Sequence, residues 1–223
     1  MVKVVTFLKR KTGMPVDEFQ AYWRTRHPEV VTRLPGVRRY VQSHTLPAGY
    51  RKGEPIYDGI AEVWADDTDA LRAMTRSPEY ARVQADEANF IDRASMGYLV
   101  TEEHTIKEGS VSPGNIKNVE FLTRKPSMRV GDFQSYWREV HGAIAARIPA
   151  LRRYVQSHTR RAAYDAGRAP AYDGLAVTWF DSTEAIRAAA ATPEYAVAAA
   201  DRARFLAPGP MRFILTTEHV IVG

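Results

Sequence analysis

Arg38-Arg39-Tyr40-Val41-Gln42-Ser43-His44-Thr45 occurs a second time in this chain, letter for letter, at residues 152–159. The similarity extends outward from that stretch, so that residues 3–45 align with residues 117–159 at a constant shift. Past one inserted residue, Tyr57-Asp58-Gly59 returns at residues 172–174, and all six histidines fall into three matched pairs. The 223-residue chain therefore carries a unit of about 108 residues twice, which is the size of a small domain and too long for a solenoid repeat.

Composition restricts the classes of protein that this chain can belong to. The chain contains no cysteine, which excludes disulfide scaffolds, thiolate metal sites and thiol nucleophiles. The net charge of +5 comes from Arg and Lys scattered among acidic residues, with no nucleic-acid recognition motif beside them. The first residues lack the apolar core of a signal peptide, and no stretch is apolar enough for a membrane span. We expect a cytoplasmic protein with neither a nucleic-acid nor a membrane partner.

The pattern within each repeat predicts the element order β-α-β-β-α-β with an extra helix before the last strand. In the first repeat we expect strands at 2–9, 37–45, 57–64 and 98–106, a helix at 68–75, and a further helix starting at Ser77-Pro78. This order is the ferredoxin-like arrangement of the α+β class. The predicted domains are residues 1–108 and 115–223, joined by a polar, glycine-rich linker. Because a sheet with helices on one face leaves its other face bare, we expect the two units to form an intramolecular pseudo-dimeric α+β barrel.

Aromatic residues and a histidine line one face of the first helix in each repeat. Phe19, Trp23 and His27 stand at i, i+4 and i+8, a spacing that places them on one side of a helix. The second repeat has Phe133, Trp137 and His141 at the matching positions. Pro28 follows the first histidine and Gly142 follows the second, so both helices are predicted to break or kink there.

The segment Phe19-Gln20-Ala21-Tyr22-Trp23-Arg24-Thr25-Arg26-His27-Pro28 and its copy at 133–142 resemble the EthD family of the dimeric α+β barrel superfamily. A Tyr-Trp pair with a histidine four residues after the Trp is the most specific mark of that resemblance. The similarity covers both repeats, which identifies the chain as a tandem form of the usual single unit.

The resemblance implies a chemistry as well as a fold. Relatives in this family include isomerases, dehydratases and decarboxylases that use no metal or organic cofactor, with a histidine and a tyrosine lining the pocket. Those two positions correspond here to His27 and Tyr40 in the first repeat, and to His141 and Tyr154 in the second. We therefore expect a cofactor-independent lyase or isomerase that acts on a small cyclic, carbonyl-bearing or aromatic molecule. His27 would be the base and Tyr40 the donor to an oxyanion.

His44, with its copy His158, is expected to act as a second hydrogen-bond donor or acid. A further set of residues is expected to line the substrate site: Phe19, Trp23, Gln42, Glu62, Tyr98, Glu102, His104 and Trp137. Because Glu62 and Glu102 have no acidic counterpart in the second repeat, the first pocket is the preferred active one. Alternation along the strand places Tyr40, Gln42 and His44 on one face, where they form either a substrate-orienting group or a buried network that only stabilises the sheet.

Other functions remain open from the sequence. One alternative is a cofactor-free monooxygenase that activates its substrate by the same deprotonation. Another is a non-catalytic module that binds a small molecule or haem. No pair of histidines has metal-ligand spacing, so we expect no metal site. The expected partner is a small-molecule substrate, and further homo-oligomerisation is compatible with the internal pairing.

Overall fold

The computed structural model describes residues 1–165 and 169–223. Its chain divides into two compact units, which we call unit 1 (Met1–Val100 with Glu218–Gly223) and unit 2 (Thr101–Thr217). The last strand of each repeat contributes residues to both units. The sequence-predicted domains, 1–108 and 115–223, stay a prediction, since these compact units divide the chain within those strands.

Unit 1 follows the predicted order of elements. Its strands and helices are β1 (Val2–Leu8), α1 (Val16–Thr25), α2 (Pro28–Val31), β2 (Arg39–Thr45), β3 (Gly59–Ala65), α3 (Thr68–Thr75), α4 (Pro78–Glu87) and the start of β4 (Gly97–Lys107). Strand β3 pairs antiparallel with β1 on one side and with β2 on the other. The Ser77 hydroxyl accepts a hydrogen bond from the Tyr80 amide, so the predicted cap starts α4.

Unit 2 repeats this order with small differences. Its elements are β5 (Ile116–Leu122), α5 (Val130–Ser135), a π-helical turn (Tyr136–His141), α6 (Gly142–Ala145), β6 (Arg153–Thr159), α7 (Ala162–Asp165), β7 (Gly174–Phe180), α8 (Thr183–Ala190), α9 (Pro193–Asp201) and β8 (Arg212–Val222). Strands β8, β5, β7, β6 and β4 pair antiparallel in that order. Residues 108–115 form neither helix nor strand, as expected for the linker.

The first helix of each repeat ends in a local irregularity at the histidine. In unit 1 the His27 amide donates to the Tyr22 carbonyl, five residues back, and α2 then begins at Pro28. In unit 2 the same irregularity is a six-residue π-helical turn that ends at His141. Such π-type turns often mark functional positions in proteins. The predicted break is confirmed in unit 1, where α1 ends at Thr25 and α2 begins at Pro28, whereas in unit 2 the π-helical turn runs directly into α6.

The two faces of the unit 1 sheet differ in how completely they are covered. Tyr40 packs against Val31, Met74 and Val83 of helices α2, α3 and α4, so its face lies under the helices. Four other residues on this face are nonetheless only partly buried: Val4, Thr6, Ala61 and Val63. On the opposite face, side chains such as Val5 and Trp64 are buried. Part of this face therefore remains accessible to solvent.

A close backbone approach explains why Gly59 recurs as Gly174. A Cβ atom at Gly59 would lie 2.5 Å from the Ser43 carbonyl oxygen and 2.5 Å from the Trp23 ring. The same contacts occur at Gly174, with Trp137 in place of Trp23. Glycine is required at this position because a larger residue would displace the tryptophan from the strand.

Candidate active site

His27 and Asp86 form a partly buried hydrogen-bonded pair in unit 1. The His27 Nδ1 atom lies 2.7 Å from Asp86 Oδ2, and the other carboxylate oxygen of Asp86 accepts a 2.7 Å hydrogen bond from the Tyr22 hydroxyl. Burial lowers the pKa of His27, and the hydrogen bond and charge of Asp86 oppose that shift. The histidine is therefore neutral at neutral pH. With its proton on Nδ1, the lone pair of its Nε2 atom is left available as a base.

Unit 2 contains the same pair. His141 Nδ1 lies 2.9 Å from Asp201 Oδ2, and the Tyr136 hydroxyl donates to Asp201 Oδ1 at 2.7 Å. Burial also lowers the pKa of His141. The two aspartates were not among the residues selected from the sequence. The repeat could have indicated both aspartates, because Ala85-Asp86 returns as Ala200-Asp201 near the end of a matching helix.

Tyr40, Gln42 and His44 lie on one face of β2, as the alternation predicts, and they form one hydrogen-bonded chain with Trp23. The Gln42 amide nitrogen donates to the Trp23 carbonyl at 2.7 Å and to the Tyr40 hydroxyl oxygen at 2.9 Å. The Gln42 oxygen must then accept, so the proton shared with His44 at 3.0 Å belongs to the histidine Nε2. These bonds determine both the amide orientation and the histidine tautomer.

The Tyr40 hydroxyl is held as a donor by its surroundings. Its oxygen also accepts a 3.3 Å hydrogen bond from the Trp23 indole, in addition to the bond from Gln42. Burial raises the pKa of Tyr40, so the phenol keeps its proton at neutral pH. Tyr154 in unit 2 has equivalent bonds from Trp137 and Gln156. Each tyrosine thus has two N–H groups aimed at its oxygen and one O–H proton left to donate.

His44 is too weakly basic to be the proton acceptor. Its ring stacks on Trp23 with 4.3 Å between ring centroids, and burial lowers the pKa of His44 to about 3. His158 stacks on Trp137 in the same way, and its pKa is likewise lowered to about 3. The acid role expected for His44 and His158 stays a prediction, but a neutral, buried donor is the form that the surroundings favour.

His44 and His158 each pack against a second histidine, which belongs to the other repeat. In unit 1, His219 of β8 packs edge-on against His44 at 4.7 Å and accepts a 2.8 Å hydrogen bond from Arg24. In unit 2, His104 of β4 packs against His158 at 4.6 Å. His104 therefore does not join the first-repeat site with which the sequence grouped it.

Three other residues that the sequence analysis selected have surroundings of their own. Glu62 neighbours Val63, the register partner of Tyr40, so it lies on the opposite face of the sheet, where it forms a 2.9 Å ion pair with Lys3. Tyr98 is 70% exposed. Glu102 belongs to unit 2, where it pairs with Arg160 at 3.1 Å. Glu62 therefore cannot line a pocket with Tyr40, while the substrate-site roles of Tyr98 and Glu102, and the preference for the first pocket, stay predictions.

A carboxylate that the sequence reading overlooked does differ between the units. Glu87, at the end of α4, is partly buried, and burial raises its pKa. Burial is the main cause of the raised pKa of Tyr40, and the charge of Glu87 adds to it, while Arg93 opposes the raised pKa of Glu87. The matching position in unit 2 is Arg202, which forms a 3.0 Å ion pair with Glu120.

One further carboxylate of unit 1 that could bind an ion already has hydrogen-bond partners within the protein. Asp58, inside the repeated Tyr-Asp-Gly motif, is buried and bonds to the Arg10 side chain and to the Tyr50 hydroxyl. Within residues 1–165 and 169–223, no three His, Asp or Glu side chains come together in a way that could hold a metal ion. No helix in the same ranges is long and apolar enough to cross a membrane.

Comparison with known proteins identifies a family and a fold. The family model described as the EthD domain matches residues 11–94 and 125–209. A structure described as an anthrone oxidase-like protein shares 11% identity with a TM-score of 0.67, covering 100% of this chain and 94% of its own. A "putative monooxygenase" from Fusobacterium nucleatum shares 8% identity with a TM-score of 0.62, covering 98% and 93%. A "putative chlorite dismutase" shares 12% identity with a TM-score of 0.57, covering 98% and 94%.

A search among curated proteins found no match to this sequence. The structural likenesses confirm the predicted fold class, the dimeric α+β barrel class built from ferredoxin-like units. They correct the expected reaction. The solved structures that match nearly the whole chain are described as a monooxygenase, an oxidase-like protein and a chlorite dismutase, and not as lyases or isomerases. The lyase or isomerase interpretation was wrong, and the alternative of a cofactor-free monooxygenase fits these findings better.

Proposed function

The chain belongs to the EthD family, and we propose that it is a cofactor-independent monooxygenase that oxidises a small aromatic molecule after removing a proton from it. The observation that carries this proposal is the hydrogen-bonded pair of buried His27 and partly buried Asp86. The Nδ1–H of His27 donates to the Asp86 carboxylate, and the Nε2 of His27 carries no proton at neutral pH. A histidine oriented in this way by a carboxylate is a recurring form of general base.

The surroundings of the His27–Asp86 pair favour a carbanion or phenolate that reacts with O₂. The His27 ring packs against Phe90 at 4.9 Å, and Phe90 in turn packs against Phe19 and Tyr22. These rings exclude water from one side of the imidazole. The Tyr40 hydroxyl, held as a donor, would stabilise the oxyanion that forms when the substrate loses its proton.

The reaction balances without any further oxidant. His27 Nε2 takes a proton from a CH₂ group that lies between aromatic rings conjugated to a carbonyl, and the carbanion passes one electron to O₂. The two radicals combine into a carbon-bound peroxide, which loses water to give a ketone as the histidine proton is returned. One oxygen atom enters the product and the other leaves as water, so CH₂ plus O₂ becomes C=O plus H₂O. The anthrone oxidase-like and monooxygenase descriptions of similar structures support this class of reaction.

The test is oxygen consumption by the purified full-length chain with anthrone as substrate, alongside an absorbance spectrum of the protein. We expect one O₂ to be consumed for each anthraquinone formed, at a rate well above the spontaneous oxidation of anthrone. With ¹⁸O₂, one labelled atom should appear in the ketone. Product formation without oxygen uptake, no rate above the buffer control, or a stoichiometric haem or flavin band would contradict the proposal.

A further inference from the structure

Tyr22 and His27 bond to the same carboxylate because the helical turn between them is irregular. The two residues are five positions apart, and in a regular α-helix such residues point about 140° away from each other. Here the His27 amide donates to the Tyr22 carbonyl, which widens the turn by one residue. The Tyr22 hydroxyl bonds to one oxygen of Asp86 at 2.7 Å, while His27 Nδ1 bonds to the other. The π-helical turn Tyr136–His141 has the same effect at Asp201 in unit 2.

Asn89 determines the direction of the Tyr22 hydroxyl proton. The side-chain nitrogen of Asn89 lies 3.0 Å from the Tyr22 oxygen and 3.5 Å from Asp86 Oδ1. Because a carboxylate can only accept, the amide nitrogen and not the amide oxygen faces this pair. The tyrosine oxygen therefore accepts from Asn89, and its own proton points to Asp86. Burial, together with the bond to Asp86, raises the pKa of Tyr22, so the phenol keeps that proton.

Packing fixes the rings on both sides of this carboxylate. Tyr22 stacks on Phe90 with 5.0 Å between ring centroids, and His27 packs against the same ring at 4.9 Å. Phe90 is fully buried. Asp86 thus bonds to two side chains whose positions are set by one buried ring.

The charges beside the carboxylate differ between the units. In unit 2, Arg204 stands at the position of Asn89, and its Nε atom lies 3.7 Å from Asp201 Oδ1. In unit 1 an exposed cation, Arg26, opposes the raised pKa of Tyr22, and its counterpart in unit 2 is uncharged. Unit 2 therefore has a positive charge beside the oxygen that accepts from neutral donors in unit 1.

A cation beside the carboxylate weakens the histidine as a base. The charge of the carboxylate stabilises the protonated imidazole, and a guanidinium nearby offsets part of that charge. His141 also faces Arg202 and Glu120, an ion pair whose two charges act on the pKa of His141 in opposite directions. The distance from His141 Nδ1 to Asp201 is 2.9 Å, longer than the 2.7 Å of the unit 1 pair.

We propose that Tyr22 and Asn89 are positioning residues for the base: they hold Asp86 so that its second oxygen accepts the Nδ1–H of the catalytic histidine. Arg204, in the place of Asn89, makes His141 the weaker base of the two units. The inference rests on the proposed function in taking the histidine of unit 1 as the base. It assigns the faster oxidation to unit 1.

Tyr22→Phe and Asn89→Arg should move the pH profile of oxygen uptake in opposite directions. Without the tyrosine hydroxyl the carboxylate keeps more negative charge, so the loss of rate at low pH should shift to higher pH. An added cation should shift it to lower pH. The rate on the plateau above neutral pH should fall about tenfold in Tyr22→Phe, because a hydrogen bond to a charged group is lost. It should fall less in Asn89→Arg, because solvent screens an exposed cation.

Tyr50→Phe is the matched control, since it removes an equal 2.7 Å bond from a tyrosine hydroxyl to the buried carboxylate of Asp58. It should leave the rate and the pH profile unchanged, whatever its effect on the melting temperature. A ¹⁵N NMR titration of the full-length chain measures the same shifts at His27 without turnover. In that titration Arg204→Asn should move His141 to higher pH.

Four results would overturn the proposal: an unchanged His27 titration in Tyr22→Phe, an unchanged plateau rate in that variant, shifts of the same sign in Tyr22→Phe and Asn89→Arg, or an equal loss of rate in Tyr50→Phe. If Tyr22→Phe does not fold, Asn89→Arg, at its exposed position, provides the test. A wild-type chain without oxygen uptake would reject the monooxygenase proposal, and the titration of His27 would still decide the role of Tyr22.

Discussion

Replacing Asp86 with Asn should weaken His27 as a base while leaving the fold in place. The carboxylate accepts the Nδ1–H bond at 2.7 Å and opposes the lowering of the His27 pKa by burial. An asparagine has nearly the same shape and can still accept the Tyr22 hydrogen bond through its oxygen. Its amide can also donate to Nδ1, which would move the histidine proton to Nε2 and occupy the lone pair that the reaction needs.

The size of the effect follows from the bond that is lost. A hydrogen bond to a charged group is worth about 1.5–3 kcal/mol, and each 1.36 kcal/mol of barrier changes a rate tenfold. Asp86→Asn should therefore slow oxygen uptake with anthrone by about 10- to 100-fold. Asp69→Asn removes an exposed carboxylate and serves as the matched control. Melting curves for both variants verify folding.

Two measurements can refute the reasoning. In the wild-type protein, ¹⁵N NMR should show His27 protonated on Nδ1 at neutral pH. Because burial places the His27 pKa below the ordinary value of 6.5, the rate should be constant above pH 7 and fall as the pH drops through the lowered pKa. A proton on Nε2 in the wild-type protein, or an Asp86→Asn rate within twofold of wild type, would refute the account of how Asp86 acts.

Three further outcomes concern stability. Lys3→Met should lower the free energy of unfolding by about 3–5 kcal/mol in urea titrations, because it removes the positive charge that pairs with buried Glu62. Adding Glu62→Val to this variant should recover at least half of the lost stability. Gly59→Ala should cost about 3 kcal/mol or more, since its methyl group meets the Trp23 ring and a carbonyl oxygen; a loss below 1 kcal/mol would disprove that steric argument. His44 has a pKa of about 3 when folded and near 6.5 when unfolded, so its contribution to stability is complete above pH 6.5 and declines by up to about 1.4 kcal/mol per pH unit below it. Melting curves between pH 7 and 5 should show a shallower decline for His44→Gln.

The repeat makes much of the fold predictable. Helix α3 spans Thr68–Thr75 as the pattern predicts, and strand limits differ by one or two residues, for example at β2, which begins at Arg39. Alternation along β2 correctly places Tyr40 and His44 on one face. These features depend on neighbours in the sequence, which is why the sequence alone reveals them.

The parts of the site that escaped prediction depend on contacts between distant segments. Asp86 lies 59 positions from His27, and helix periodicity alone does not show that the two meet. Glu62 was assigned to the wrong face because the side on which it lies depends on its register with β2. His104 was grouped with the candidate site of the first repeat, although this part of β4 belongs to unit 2. Comparing the two repeats position by position would have drawn attention to Glu87, whose counterpart Arg202 has the opposite charge.

The rate of oxygen uptake by His27→Gln, measured beside His141→Gln, tests the central claim most directly. Glutamine keeps a similar size and one hydrogen bond but cannot exchange a proton near neutral pH. If His27 is the base and unit 1 oxidises the substrate, His27→Gln should lose about 10²–10⁴-fold in rate, and His141→Gln less than about tenfold. Near-normal oxygen uptake by a folded His27→Gln variant would contradict the account.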